Sequence, residues 1–493
     1  MSKNDFDQGE ALNSPFGRLY FCPETEQIMN CAMFFKYPID VQGLKKAFSN
    51  STMIEDPRFC SLLVRNPNGE DHWKRVHVNI DDHFILRYPT TITKARGHDE
   101  EDDDEATVNA YLADLAVSTP LSKNKPLWEV HVLVELKCVV LRVHHSLGDG
   151  VSMMSMLSSC FGQKKETKSG VNGEGNIVKD GNNNHARRNW KIGGILGLIQ
   201  SMWFTIVFGL RFLGRVLGVK DKFSVISGGD GVELWPRKLV TAKFKIEDFK
   251  SIKTAVIPNV TVNDVLLGVI SHGLSKYIDD KSPKAVQQAL QLSFIIPVHL
   301  RKDSSMQEIS DLMKTPNLEL SGWGNKSSAV IVPIDCCNGL KPLEHVKQKK
   351  SVMDKMKHSC CAHFTFKSIN FIVSCLGPKV VSWSLHKLIC HTTLSISNIV
   401  GPSEDLVIGD NPVTDIKVNM SSTFHAITML LVSYAEKVNL QVMIAKDIIP
   451  DPELIVKCFQ DSFQEMRSSS KMKLQVQFCR CRFVISSFIR YKY

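Results

Sequence analysis

The residues of this chain whose types and spacing suit chemistry are two adjacent histidines, His144 and His145, followed by Asp149 and Gly150 in the pattern H-H-x-x-x-D-G. An imidazole with an unperturbed pKa near ~6.5 accepts a proton readily at neutral pH. A histidine held in a pocket is therefore suited to act as a general base on a hydroxyl group. The motif predicts a site where an alcohol is activated as a nucleophile.

The residues around the motif decide which side chain meets a substrate. The run 138–143 before it is apolar and β-branched, as in a buried strand. Because successive strand side chains point to opposite faces, one histidine is expected to be the base and the other a packing or positioning residue. Asp149 follows in a turn, where it either caps the next helix or takes part in proton transfer. No metal site is expected, since adjacent strand histidines diverge and no third ligand cluster lies nearby.

Five motifs, in order along the chain, resemble those of the plant-type wax ester synthase/diacylglycerol acyltransferase family. The similarity runs from about residue 14 to about residue 467. H-H-x-x-x-D-G alone is shared with a wider superfamily of CoA-dependent acyltransferases and with peptide-condensation domains, so the ordered set is more specific. The motifs are Pro126-Leu127-Trp128-Glu129, H-H-x-x-x-D-G at 144–150, Asn263-Asp264-Val265-Leu266, Ser397-Asn398-Ile399-Val400-Gly401-Pro402 and Asp447-Ile448-Ile449-Pro450-Asp451-Pro452.

The resemblance implies an α/β fold with two chloramphenicol-acetyltransferase-like domains and a substrate tunnel between them. It implies an acyl-CoA-dependent O-acyltransferase that esterifies a long-chain fatty alcohol, giving wax esters, or diacylglycerol, giving triacylglycerol. His145 is then the proton acceptor, His144 a positioning residue and Asp149 a structural, orienting residue. Acyl-CoA is a co-substrate, and no cofactor is expected.

Several further residues are candidates to support the site. The resemblance implies that Arg301 pairs with Asp149 from the other domain, the alternative being a surface charge. Asn263 and Asp264 belong to the third motif, but Thr261 before them is a plausible helix cap, which favours a role at a helix start. Gly150 closes the first motif. His299 stands where the family usually has asparagine.

The stretch between Trp128 and His144 is short. It should hold two strands, yet it contains no Gly, Pro, Asn or Asp to form a turn. A slip of one residue would turn His145 to the other face. The alternative function is therefore a catalytically impaired homologue that binds acyl-CoA or lipid. A third possibility, an amide-forming condensation domain, is disfavoured because no carrier-protein module or phosphopantetheine site is visible.

Bulk composition bounds the partners and the compartment. The chain has 493 residues and a formal charge of +9, which suits CoA phosphates or an anionic bilayer surface, or serves solubility alone. Nothing resembles a nucleic-acid-binding module. The 14 cysteines are scattered, with no C-x-x-C pair, and the first residues lack the apolar core of a signal peptide. Reduced thiols in a cytosol-facing protein are the simplest account.

Composition divides the chain into five segments. Residues 1–163 are expected to form the domain with the H-H-x-x-x-D-G motif, 164–190 a flexible linker, 191–220 an apolar membrane-associated segment and 221–468 the second acyltransferase domain. The tail 469–493 has no assigned role; it is basic and apolar, with disorder as one interpretation and membrane contact as another. The seven acidic residues 99–105 predict a solvated surface loop.

The apolar segment raises the question of a membrane. Ile192 to Leu210 are 19 residues without a charge, with Arg or Lys at both ends. A helix of that length spans ~28 Å, just short of a ~30 Å hydrocarbon core. Three interpretations stay open: a membrane span, a helix lying in the interface, or a helix buried between domains. The expected location is the cytosolic face of the endoplasmic reticulum membrane, with the plasma membrane as an alternative.

Overall fold

A computed structural model describes residues 10–11, 15–65, 71–88, 100–118, 120–163, 194–228, 232, 235–284, 290–301, 324–337, 339–402, 404–421 and 424–490. Its strands are β1 (Glu10–Ala11), β2 (Ile28–Phe35), β3 (Ser61–Arg65), β4 (Asp71–Arg75), β5 (Phe84–Arg87), β6 (Trp128–Leu133), β7 (Cys138–His144), β8 (Arg237–Lys245), β9 (Leu290–His299), β10 (Ser327–Cys336), β11 (Leu394–Val400), β12 (Val407–Ile408), β13 (Asn411–Met420), β14 (Ile427–Tyr434) and β15 (Lys437–Ala445). Its helices are α1 (Pro15–Arg18), α2 (Val41–Ser49), α3 (Ile80–His83), α4 (Glu100–Ser118), α5 (Gly150–Phe161), α6 (Gly194–Leu217), α7 (Ile246–Val256), α8 (Val262–Lys281), α9 (Pro342–His358), α10 (Cys361–Leu376), α11 (Pro378–Cys390) and α12 (Pro452–Arg490).

Two six-stranded sheets carry the two halves of the molecule. The first has the order β12-β13-β2-β7-β6-β5 and the second the order β10-β9-β11-β14-β15-β8. Each has its own apolar core: α2 and α5 pack on the first sheet, and α7, α8, α9 and α12 pack on the second. Strands and helices therefore form two layered α/β halves, as the sequence predicted.

The later part of the chain contributes a segment to the first sheet. β13 lies late in the chain, yet it pairs with β2 in the first sheet, where Val418 faces Cys31 and Asn419 faces Asn30. β12 continues that sheet at its edge. Residues 221–468 therefore contribute two strands to the half that residues 1–163 begin, and the sheets are tied together by the chain itself.

The short hairpin before the motif forms without a slip. β6 and β7 pair antiparallel from Trp128 opposite Val143 to Leu133 opposite Cys138. A 3-10 turn, Val134–Leu136, joins them, and Lys137 adopts the left-handed conformation that closes the turn (φ 47°). A lysine here takes the place that glycine or asparagine usually fills. The strand β7, which ends in the motif, thus pairs with β6 along the whole length of β6 despite the short connection between them.

The acidic run is helical, so the expectation of a surface loop over 99–105 is wrong for the part of it that is described. α4 begins at Glu100 and continues to Ser118. Glu105 bonds the buried ammonium of Lys417 on β13 at 2.7 Å. The sequence alone predicts that Glu105 is solvated, because it does not show that the buried Lys417 lies beside it.

One predicted segment lies outside the described residues, one matches an apolar helix, and the tail differs from the sequence division. The predicted linker 164–190 is outside them. Within the described residues, α6 is long and apolar enough to cross a membrane by length and composition alone. α12 does not end near residue 468 but continues through Arg490, so the tail 469–490 prolongs a helix.

Candidate active site

A cavity lies between the two halves, with an empty volume of about 1180 Å³ including its mouth. Strands of both sheets and the start of α5 form its walls. Its lining is mostly apolar, with a few polar groups. Among the lining residues are Tyr20, Gln27, Met29, His145, Asp149, Gly150, Ile295, Pro297, His299, Ser395, Ser397, Asn398, Val418, Met420, Phe424, His425, Thr428 and Leu430. A lining of this kind suits an elongated apolar substrate, with the few polar groups left to orient its reactive end.

His145 lies at the wall of this cavity. It opens the 3-10 turn His145–Leu147 directly after β7, and its backbone N–H donates to the Gln27 carbonyl at 2.9 Å. The side chain is buried, and burial lowers its pKa below the usual 6.5, partly offset by the negative charge of Asp149. The imidazole is therefore neutral at neutral pH, which is the state that a general base requires.

Asn325 fixes which nitrogen of His145 carries the proton. The Asn325 amide nitrogen donates to the backbone carbonyl of His145 at 2.9 Å, and its Oδ1 lies 3.2 Å from His145 Nδ1. Because a carbonyl oxygen only accepts, the amide group has one sensible orientation, and Oδ1 must face the ring. Nδ1 then donates its proton to Oδ1. The lone pair of His145 is consequently on Nε2.

Tyr20 holds the ring of His145 from one side. The two rings are stacked at 4.2 Å between centroids, with 17° between their planes. Tyr20 reaches the site because the segment around α1 packs against the second half, where Phe16 and Leu19 contact Val373 and Val381. Burial, and then the nearby charge of Asp149, raise the pKa of the Tyr20 hydroxyl. The phenol therefore stays protonated beside the imidazole.

His144 faces elsewhere, as the alternation of a strand predicts. Its ring stacks on Phe21 at 5.1 Å, and its Nδ1 lies 2.7 Å from the Ser146 hydroxyl. It is not among the residues that line the cavity. The bond to Ser146 holds the turn that begins with His145. The two histidines are thus separated into one that meets the cavity and one that packs behind it.

Asp149 and Arg301 join the two halves at the motif. Arg301 donates from Nη1 to Oδ2 at 2.8 Å and from Nη2 to Oδ1 at 3.0 Å. Asp149 also caps α5 by accepting from the Ser152 backbone at 3.0 Å, and it accepts from the Lys326 backbone at 3.2 Å. A carboxylate offers about four acceptor positions, and these four donors occupy them. Asp149 therefore orients the loop and has no free lone pair for proton transfer.

Gly150 is the first residue of α5 and lines the cavity. A Cβ at this position would lie 2.8 Å from Cδ1 of Ile399 on β11, closer than real side chains approach. The glycine thus lets α5 of the first half meet β11 of the second half at the motif.

Asn263 and Asp264 lie apart from His145. Asp264 forms a capping box with Thr261: its carboxylate accepts from the Thr261 backbone at 2.8 Å, and the Thr261 hydroxyl accepts from its backbone at 3.2 Å. This is the helix-start role that the sequence favoured. Asn263 accepts a hydrogen bond from Asn398 and lines a second cavity.

The second cavity meets the first where two strands separate. β11 pairs with β14 over seven residues but with β9 only at Leu394–Phe294 and Ser395–Ile295. Beyond this point the lining of both cavities includes Pro297, His299, Ile396 and Asn398. The second cavity has an empty volume of about 1160 Å³ and extends to α8, α9 and α10, where Lys357 and His363 lie. The two cavities are therefore adjacent and share Pro297, His299, Ile396 and Asn398, and together we call them the passage.

The sequence did not reveal every residue of the site. Asn325 and Tyr20 touch His145 from 180 and 125 positions away in the chain, and neither stands in a recognisable motif. The resemblance supplied the pairing of Arg301 with Asp149, and the geometry places the two in contact. The strand separation that opens the passage is visible only in the pairing of β9 with β11.

Solved structures share this fold. The wax ester synthase/diacylglycerol acyltransferase from Marinobacter aquaeolei VT8 superposes with a TM-score of 0.56 at 15% identity, covering 94% of this chain and all of that one. The first condensation domain of the calcium-dependent antibiotic synthetase, solved with a substrate analogue, gives 0.56 at 12% identity, covering 94% and 97%. The fold therefore defines the class: two chloramphenicol-acetyltransferase-like halves with a passage between them.

Sequence comparison narrows the class to a family. The wax ester synthase/diacylglycerol acyltransferase catalytic domain matches residues 103–226, and the WS/DGAT C-terminal domain matches residues 323–467, together more than half of the chain. Wax ester synthase/diacylglycerol acyltransferase 5 of Arabidopsis thaliana is 29% identical, covering 94% of this chain and 95% of that protein. Number 11 of the same plant is 28% identical, covering 92% and 94%. The chain belongs to the wax ester synthase/diacylglycerol acyltransferase family and is an acyltransferase.

Proposed function

We propose that the protein transfers a long-chain acyl group from acyl-CoA to the hydroxyl of a lipid alcohol, with Nε2 of His145 as the general base. The observation that carries this proposal is the neutral imidazole at the cavity wall, with its Nδ1 proton held by Asn325. Because Asn325 holds the Nδ1 proton, the lone pair on Nε2 is available to take a proton from an alcohol.

The reaction proceeds in two proton transfers. Nε2 takes the hydroxyl proton as the alcohol oxygen attacks the thioester carbonyl carbon, forming the new C–O bond. The tetrahedral intermediate then collapses, the C–S bond breaks, and the imidazolium returns its proton to the CoA sulfur. The products are an ester and free CoA, and no acyl-enzyme is formed. General-base assistance of this kind contributes ~10²–10⁴-fold, and positioning of the two substrates contributes more.

His144, Asp149 and Arg301 act on this step through geometry. The saturated carboxylate of Asp149 and the guanidinium of Arg301 hold the motif turn against the second half. His144 fixes the same turn from behind through Ser146. A displacement of about 1 Å at the base is enough to cost a large factor in rate, so these residues affect catalysis through the position of His145.

The two adjacent cavities support the use of two long substrates. We infer that the acyl donor and the acceptor enter from opposite sides and meet beside His145. Long-chain fatty alcohols, giving wax esters, and diacylglycerol, giving triacylglycerol, both fit a passage lined mainly by apolar side chains. Lys357 and His363 at the outer part of the second cavity offer cationic or hydrogen-bonding groups to the phosphates of acyl-CoA.

The reason for considering an impaired, lipid-binding homologue no longer holds. It rested on the short connection before the motif, and β6 and β7 pair in full register across that connection. His145 lines the cavity, which supports the active-enzyme proposal.

We further propose that the protein works on the cytosolic face of the endoplasmic reticulum membrane. Family resemblance suggested this location. The twelve cysteines whose side chains the structure describes are all free thiols, which suits a reducing compartment. Fatty alcohols and diacylglycerol also partition into bilayers, so an enzyme that uses them benefits from a membrane nearby.

Product analysis tests the proposed function directly. Cells that lack their own storage lipids would express the wild-type chain and be supplied with hexadecanol. Wax ester, triacylglycerol or both are expected above the level in cells with an empty vector. The absence of both products from cells that contain the folded protein would contradict the proposal.

A further inference from the structure

The outward side of α6 carries an apolar stripe. The large apolar residues Ile199, Met202, Trp203, Ile206, Leu210, Leu213 and Leu217 are half or more exposed and recur at helical spacing. Trp203 is 62% exposed and Leu217 is 76% exposed. A surface helix of a globular protein normally turns its polar side outward. This helix does the opposite over the ~27 Å from Ile199 to Leu217.

α10 and α11 add to this surface. α6 packs on both: the Thr205 hydroxyl accepts a bond from the Cys360 backbone at the start of α10, and Phe212 and Val216 pack against Leu388 of α11. The two partner helices expose further large apolar side chains, namely Phe364, Phe371 and Leu376 on α10 and Val380 and Trp383 on α11. We call the exposed apolar residues of α6, α10 and α11 the three-helix face.

Charge on the three-helix face has one sign. The sequences of α6, α10 and α11 contain no aspartate or glutamate. Arg211, Lys367, Lys379 and Lys387 are exposed on them. Lys387 lies 6.0 Å from the ring centre of Trp383. Exposed tryptophan beside basic side chains is typical of the boundary between hydrocarbon and headgroups.

The inner side of α6 packs against the rest of the protein. Phe208 is buried in the core of the second half. Arg215 bonds the Ser293 hydroxyl at 2.8 Å and the Asp221 carboxylate at 2.6 Å. A helix that spanned a bilayer would have to give up these contacts and take Arg215 into hydrocarbon, which is costly. The contacts hold α6 parallel to the protein surface.

We propose that the three-helix face docks in the plane of an anionic bilayer, with α6 lying in the interface and not crossing it. The apolar stripe enters the acyl-chain boundary, and the four cations meet anionic headgroups. This inference deepens the proposed function and rests on it for the reason why the protein docks. The helices α10 and α11 also supply His363 to the lining of the second cavity and Ile389 to the lining of the first. A lipid acceptor can thus pass from the bilayer into the passage beside the same helices.

Vesicle flotation tests the docking without using activity. The full-length protein is mixed with phosphatidylcholine vesicles, with or without phosphatidylserine, and the fraction that floats is measured. Wild type is expected to float, more with phosphatidylserine and less at high salt. The variant W203E/W383E is expected to bind at least about tenfold less, because two exposed indoles that would enter the bilayer are replaced by charges. Tyr37→Glu is the matched control, since Tyr37 is 52% exposed on the first half, and it should float like wild type.

A second measurement keeps the test independent of folding in the glutamate variant. Lipids brominated along the acyl chain should quench tryptophan fluorescence in wild type, and W203F/W383F should lose most of that quenching while still floating. Alkaline carbonate should release the docked protein. Flotation of W203E/W383E equal to wild type, equal loss in Tyr37→Glu, absence of quenching, or resistance to carbonate would each overturn the proposal. If the protein binds vesicles but makes no ester, the proposed function is contradicted and the docking proposal stands.

Discussion

Two helices of this molecule begin with an aspartate from a family motif, and the two aspartates do different work. Asp149 begins α5 in the first half, and Asp264 lies in the first turn of α8 in the second half. Both bond backbone N–H groups at their helix start. Asp149 also receives two bonds from Arg301 across the interface, whereas Asp264 bonds Thr261, three residues away. The same local signal therefore serves assembly of the site in one place and helix capping in the other.

The difference comes from what the opposite half supplies. Arg301, Gly324 and Asn325 all reach the motif turn from the second half: Arg301 bonds Asp149, the Gly324 carbonyl accepts from Ser152, and Asn325 bonds His145. An aspartate in such a position couples the catalytic turn to the second domain. One with only local partners stabilises its own helix.

The largest expected difference between the two regions is in Asp149→Ala and Asp264→Ala. Asp149→Ala leaves the buried Arg301 guanidinium without its carboxylate, and breaking a buried pair costs about 3–5 kcal/mol. Asp264→Ala removes half of a capping box, for about 0.5–2 kcal/mol. Urea unfolding of both variants measures the two losses. Ester synthesis should be abolished in Asp149→Ala and largely kept in Asp264→Ala; equal losses of activity would contradict the distinction.

A smaller effect is expected when the charge at residue 301 is kept but its geometry is changed. Arg301→Lys retains a cation and loses the planar pair of bonds to Asp149, so about tenfold of the activity should be lost. A double-mutant cycle with Arg301→Ala and Asp149→Ala should show a coupling of about 0.5–3 kcal/mol in the free energy of unfolding. Additive effects of the two changes would mean that the bidentate contact does not join the halves.

Asn325→Ala should have the smallest effect on stability and a diagnostic effect on pH dependence. The variant no longer fixes the Nδ1 proton, so kcat should fall about tenfold with little change in the KM for the acyl donor. The bond from Asn325 favours the protonated ring, so its loss should move the acidic limb of the rate profile to lower pH. In wild type that limb lies below the usual pKa of 6.5, because burial lowers the pKa of His145. An unchanged pH profile would show that Asn325 is only a packing residue.

The local parts of the fold were predictable from the sequence, and the long-range parts were not. The apolar run before the motif, the turn at Gly148 and the cap at Asp149 are neighbours in the chain, so their pattern specifies strand, turn and helix. The capping box at Thr261 was readable for the same reason. In contrast, the entry of β13 into the first sheet depends on pairing between residues almost 400 positions apart, which no local pattern records.

The candidate site divides along the same line. His145 and Asp149 follow from the motif, and Arg301 follows from the family resemblance. Tyr20 and Asn325 do not, because an aromatic residue and an asparagine have no distinctive spacing to mark them. The loop predicted for the acidic run 99–105 was wrong because the sequence does not show that Glu105 lies beside the buried Lys417.

The most direct test of the account is thiol release by purified wild type and His145→Ala, with palmitoyl-CoA as donor and hexadecanol or diolein as acceptor. Asp264→Ala serves as the control, and circular dichroism confirms that each variant folds. The account predicts that His145→Ala loses ~10²–10⁴-fold of the rate while binding of palmitoyl-CoA is kept. A folded His145→Ala protein that turns over at the wild-type rate would contradict it.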